Sequence, residues 1–158
     1  MYLLLVLFAA AACAAPDPVA APIIGSVDRE AVSNLAVHVV RSESCGCCHQ
    51  WMDYMSAYGA TVTDEIVDDT TAVKLEAGIP MEAWSCHTSM VGDYVIEGHV
   101  PAQAIVDLLA RAPDAIGLAL PGMPEDSPGM GPATADTALQ VLLINNDGTT
   151  EPFGIYRP

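Results

Sequence analysis

The chain opens on an unbroken apolar run, Leu3 to Ala12, and then loses all period: from Ala14 to Asn34 it is rich in Pro, Ala and small polar residues with no sustained hydrophobic spacing. Patterned sequence starts near Leu35. Leu35 to Val40 (LAVHVV) is apolar and β-branched and predicts a strand, followed by the turn-like Ser42-Glu43-Ser44. From Cys48 to Tyr58 the positions Trp51, Met52, Met55 and Tyr58 recur at helical spacings, which predicts an amphipathic helix stopped by Gly59. Thr61 to Val67 alternates as a strand, and Thr70 to Ala77 predicts a short helix ended by Gly78 and Pro80. Thr88 to Val91 and Tyr94 to Glu97 flank Gly92-Asp93 and predict a hairpin. Pro101 opens a helix to Arg111 with Ile105, Leu108 and Leu109 in period. After an irregular stretch, Leu139 to Ile144 and Pro152 to Tyr156 predict a second hairpin around Asn146-Asp147-Gly148.

The order strand, helix, strand, helix, hairpin, helix predicts an α/β fold of thioredoxin-like layout: a central mixed sheet flanked by helices, with an added C-terminal hairpin. Residues 1–13 are expected to be a signal or lipoprotein signal segment, 14–34 a flexible linker, and 35–158 the folded domain. The apolar run is shorter than the roughly 20 residues a spanning helix needs. It has the length of a secretory h-region, although no Lys or Arg precedes it. Cys13 follows Ala10-Ala11-Ala12, where a lipid-modified cysteine would stand; the alternative is its loss with a signal cut after Ala14 or Ala15. The expectation is an exported, periplasmic protein, with a lipid anchor at Cys13 as one outcome.

Charge narrows the partners. Five Lys+Arg stand against 20 Asp+Glu, a formal charge of −15, and such a surface forfeits the counterion-release gain that drives nucleic-acid binding. Nucleic acid is excluded as a partner, while the same field attracts cations. The acidic stretch Asp64, Glu65, Asp68, Asp69 lacks the ligand spacing and glycine of a calcium loop and reads as a solvated face.

Chemistry concentrates in Cys45-Gly46-Cys47-Cys48-His49. Cys45 and Cys48 form a C-x-x-C at the start of a predicted helix, where free N–H groups and the dipole favour thiolate over thiol. Cys47 adds a third sulfur inside the motif, more than a two-electron disulfide cycle requires. A fourth stands in Ser85-Cys86-His87-Thr88, on the loop that faces the cysteine loop in a thioredoxin-like fold. Three readings stay open: a soft-metal site on Cys45, Cys47, Cys48 and Cys86; a thiol–disulfide oxidoreductase with Cys45 attacking and Cys48 resolving; and a disulfide-stabilised binding module. Soft donors select Cu(I) or zinc, and Met123 and Met130, set in two Pro-Gly-Met units, tilt the choice to copper, although methionine more often fills gaps in cores. His87 and His99 are further candidate ligands; His49 reads as solvated, His38 as a core histidine, and Trp51 and Trp84 as packing residues. No nucleophile–base set or phosphate loop points to a hydrolase.

SCGCC, the SCHT of Ser85 to Thr88, VIEGHVP of Val95 to Pro101 and PGMPEDSPGM of Pro121 to Met130, in this order, closely resemble the bacterial copper-resistance family of CopG-like proteins. The resemblance runs from about Val37 to the C-terminal hairpin. It implies a thioredoxin-like, exported, copper-handling protein, with copper held by Cys45, Cys47, Cys48 and Cys86 and further roles for Met123, Met130, His87 and His99. Copper as Cu(I), with Cu(II) accessible, is the expected ligand, and other periplasmic copper-handling proteins are the expected partners.

Overall fold

The computed structural model describes residues 23–24 and 26–157; Cys13 and the apolar run before it lie outside them. An eight-stranded mixed sheet has the order β1-β8-β7-β6-β5-β4-β2-β3. Its strands are β1 (Ile23–Ile24), β2 (Ala36–Ser42), β3 (Thr61–Val67), β4 (Thr88–Val91), β5 (Tyr94–Glu97), β6 (Gly117–Ala119), β7 (Leu139–Ile144) and β8 (Thr150–Tyr156). The helices are α1 (Arg29–Ser33), α2 (Gly46–Ala57), α3 (Thr71–Glu76) and α4 (Ala102–Arg111). The expected central sheet, flanking helices and C-terminal hairpin are all present.

Alternation along the strands separates two apolar layers. Val37 and Val39 of β2, Ile96 of β5, Leu118 of β6 and Val141 and Leu143 of β7 pack with Trp51 and Met55 of α2 and with Ala104, Ile105 and Leu108 of α4. Side chains one position along, Ala119 and Ile144, join Ile79 and Ala83 in a smaller cluster, so the segment around the 3-10 turn at Met81–Ala83 covers the opposite face.

Two expectations need correction. The segment read as linker ends in a helix: Asp28 caps α1 by accepting from the Ala31 N–H, and Val32 is fully buried in the larger core. A single buried residue on a five-residue helix leaves too little periodicity to be read. His38 is no core histidine; its side chain is 41% exposed on the open face of β2, facing Thr63 and Glu65 across the parallel pairing with β3. Among the described residues no helix is long and apolar enough to cross a membrane.

Strand directions bring the distant motifs together. β2 and β3 run parallel, with Ser42 opposite Val67, and β4 runs antiparallel to β2, with Thr88 opposite Val40. The end of β2, which feeds the cysteine loop, therefore lies beside the start of β4, which follows Ser85-Cys86-His87. β5 returns antiparallel to β4 with Glu97 opposite Thr88, and β6 runs parallel to β5 with Ala119 opposite Glu97. His99 and the segment from Pro121 thus leave the sheet at that same end.

Candidate metal centre

Cys45 occupies the N-cap of α2 without a side-chain capping bond, and Gly46, Cys47 and Cys48 form the first helical turn. Its free N–H groups and positive dipole end favour a thiolate there. Cys45 and Cys48 are joined as a disulfide, while Cys47 and Cys86 are free. Cys45 Sγ lies 3.7 Å from Cys47 Sγ, and the four sulfurs of Cys45, Cys47, Cys48 and Cys86 all fall within 4.8 Å of one another. The structure therefore joins the triplet to Cys86, as topology demands.

Cys86 also belongs to a second group. Its Sγ is 3.4 Å from His87 Nδ1 and 3.0 Å from His99 Nε2, so sulfur and imidazole donors share one position. Both histidines are fully buried, with ring centroids 5.1 Å apart, and the Trp51 indole lies 4.8 Å from the His87 ring. Trp51 itself is anchored by donating Nε1–H to the Val100 carbonyl at 3.0 Å. His87 Nε2 has no hydrogen-bond partner among the described residues.

Burial sets the proton affinities. It pushes the Cys86 thiol up to about 12, with the Cys47 thiol adding to the effect. It also holds His87 well below the ordinary histidine range, assisted by His99, Lys74 and Arg41. His99 is lowered by burial too, partly opposed by its bond to the Pro128 carbonyl. The resting site is thus neutral at its inner end, presenting imidazole nitrogens and a thiol to a cation.

The remaining candidates are less central. His49 is 64% exposed on α2 and faces Asp53 at 3.9 Å. Met123 is 53% exposed, and Met130 is half-buried, directly after the Pro128-Gly129 turn that meets His99. Trp84 is half-buried and donates to the Ile79 carbonyl. In the acidic stretch, Asp64 pairs with Arg41 and Asp69 accepts from the Thr71 N–H and hydroxyl.

Sequence reading missed the supports beneath Cys86. Glu97, fully buried, accepts from Lys74 Nζ at 2.5 Å, from the Ser85 N–H at 2.6 Å and from the Thr88 hydroxyl at 2.7 Å. The carboxylate thereby ties α3 and the Cys86 loop to the end of β5. On the other side Ser85 Oγ donates to the Gly122 carbonyl. Gly98, at φ +75°, leaves room for this contact: a Cβ there would sit 2.4 Å from Ser85 Oγ and 2.9 Å from the Leu120 carbonyl oxygen. The charged residues set among apolar neighbours, Glu97 in VIEGH and Lys74 between Val73 and Leu75, were the available signal.

The family described as protein of unknown function, DUF411, matches residues 83–130, which hold Cys86, His87, His99 and both Pro-Gly-Met units. No curated protein matches the chain. Two solved structures are similar to it: copper resistance protein copG, Form 1, is 40% identical, covers 78% of this chain and 98% of that one, and superposes with a TM-score of 0.70. Form 2 is 41% identical over 77% of this chain and 98% of that one, at a TM-score of 0.71. A half-buried group of cysteines joined to two buried histidines at one end of a mixed sheet marks a class of protein able to hold a metal ion. Within that class the chain belongs to the copG copper resistance family.

Proposed function

We propose that the protein captures copper as Cu(I) on Cys45, Cys47, Cys48 and Cys86, in copper resistance or homeostasis. The observation that carries this is the convergence within 4.8 Å of four sulfurs, three from the start of α2 and one from the Cys86 loop 38 or more positions away. Thiolate is the donor that Cu(I) prefers, and each sulfur has lone pairs for two ions, so a thiolate-bridged site holding more than one copper fits the spacing. The copper resistance proteins of the same family support copper over zinc. His87 and His99, beside Cys86, extend the donor set with imidazole, which suits Cu(II) as well. The buried, unpartnered Nε2 of His87 is the kind of atom a metal satisfies.

Full use of the four sulfurs requires the Cys45–Cys48 disulfide to open. A thiol reductant supplies two electrons and two protons, gives two thiols and leaves as its own disulfide; each copper ion then displaces protons from the sulfurs it binds. A second reading draws on the same disulfide at the α2 N-terminus: thiol–disulfide exchange through Cys45 and Cys48. The Leu3 to Cys13 sequence supports export, with capture taking place in the periplasm and other copper-handling proteins as partners. The test is metal content. The full chain, reduced and handled without oxygen, should retain at least one Cu(I) against a moderate chelator when offered Cu(I) and Zn(II) together; retention of zinc alone, or of no copper, would overturn the proposal.

A further inference from the structure

His99 is fully buried, and the two nitrogens of its ring meet different partners. Nδ1 lies 2.6 Å from the Pro128 carbonyl oxygen and Nε2 lies 3.0 Å from Cys86 Sγ. A carbonyl oxygen only accepts, so Nδ1 carries the hydrogen. In the neutral ring the lone pair then sits on Nε2 and points at Cys86.

The Pro128 carbonyl is aimed by a turn. The Met130 N–H donates to the Ser127 carbonyl at 2.9 Å, closing a four-residue turn with Pro128 and Gly129 at its centre. Gly129 has φ +83°, the value a type II turn requires at its third residue, and proline is favoured at the second. The two common turns differ by a flip of the central peptide, whose oxygen is that of Pro128. In a type I turn it would point to the opposite side. Gly129 also permits close docking: a Cβ built there would lie 2.5 Å from Trp51 N, 2.8 Å from Trp51 Cα and 2.9 Å from Gln50 C. The turn therefore rests against the backbone of α2, one turn beyond Cys48. Ser127 is fully buried behind it, its hydroxyl donating to the Pro124 carbonyl.

We propose that the Ser127–Met130 turn is a tautomer lock for His99, and that Gly129 and Pro128 are positioning residues that hold the Nε2 lone pair toward Cys86. The lock is a property of the metal-free chain. Its use, presenting a bare imidazole nitrogen to copper beside the Cys86 sulfur, rests on the capture reading above. Partners of this kind, bound to the far nitrogen of a ligating histidine, fix its ring and raise its basicity, and their loss costs roughly 10–100-fold in metal affinity.

The experiment is imidazole ¹⁵N NMR on the metal-free full chain, comparing wild type, Gly129→Ala and Pro128→Ala, followed by Cu(I) competition titration of each. Wild type should show hydrogen on Nδ1 and a bare Nε2 at His99. Gly129→Ala cannot keep both the turn and its seat on Trp51, so the hydrogen should move in part to Nε2 and copper affinity should drop by about tenfold or more. Pro128→Ala keeps the carbonyl and the glycine and should preserve the wild-type pattern. A wild-type His99 protonated on Nε2 would overturn the lock even if Gly129→Ala fails to fold. So would a folded Gly129→Ala with the wild-type pattern. A verified lock in a chain that retains no copper would instead count against the capture reading.

Discussion

Lys74→Met is the substitution most revealing of how the Cys86 loop is held. Lys74 is 3% exposed and is the buried residue of α3, and its ammonium sits 2.5 Å from Glu97 Oε1 and 3.0 Å from the Thr88 hydroxyl oxygen. Methionine fills much the same volume without the charge, leaving a fully buried carboxylate with only the Ser85 N–H and the Thr88 hydroxyl as donors. Breaking a buried pair by removing one partner costs about 3–5 kcal/mol, because the remaining charge is uncompensated. A domain of this size is stable by about 5–15 kcal/mol, so the variant should lose a large share of its total. Urea unfolding with linear extrapolation measures this directly. The double variant Lys74→Met/Glu97→Gln should regain at least half of the loss, since a neutral amide oxygen still accepts from Ser85 without an unpaired charge. A single variant within about 0.5 kcal/mol of wild type, as for an ordinary surface change, would mean that the buried Glu97 carboxylate does not depend on Lys74. A double variant no more stable than the single one would mean the same.

Two further outcomes follow from the site and its surroundings. Tyr54 is pushed up to about 12, chiefly by burial, so the folded state holds its proton more tightly than the unfolded state; its contribution is complete below about pH 10 and is lost as pH rises from 10 to 12, and Tyr54→Phe should flatten that part of the stability–pH curve. Cys47→Pro restores a two-cysteine loop but deletes one of four sulfurs, so Cu(I) affinity should fall by well over tenfold, more than about 1.4 kcal/mol, while insulin reduction should not rise; undiminished copper affinity with brisk reductase activity would transfer the function to Cys45–Cys48 exchange.

Much of the fold is legible because the elements that build it carry their own patterns. Thr61–Val67, Thr88–Val91, Tyr94–Glu97 and Leu139–Ile144 occupy the expected ranges, and α2 and α4 start within two residues of expectation. β6 is not legible: Gly117-Leu118-Ala119 is three residues long, buried throughout, and takes its strand form from pairing with β5 and β7 rather than from alternation. At the site, the cysteines and histidines were readable as chemistry, and their meeting followed from strand order. The supports were not, because each joins residues far apart in the chain: Lys74 to Glu97 across 23 positions, His99 to Pro128 across 29, and Gly129 to the backbone at Trp51. A glycine's positive φ and a buried ion pair are tertiary facts that local composition does not encode.

Cys86 is proposed to complete one copper site with Cys45, Cys47 and Cys48, although 38 positions separate it from Cys48. Competition of the reduced wild-type chain and its Cys86→Ser variant against a Cu(I) chelator tests this most directly, with circular dichroism to establish that both are folded. The variant should show lower copper stoichiometry and at least tenfold weaker retention, about 1.4 kcal/mol or more, since the removed sulfur lies beside both the other three sulfurs and the two histidines. A folded Cys86→Ser protein that holds as much copper as wild type, and as tightly, would contradict it.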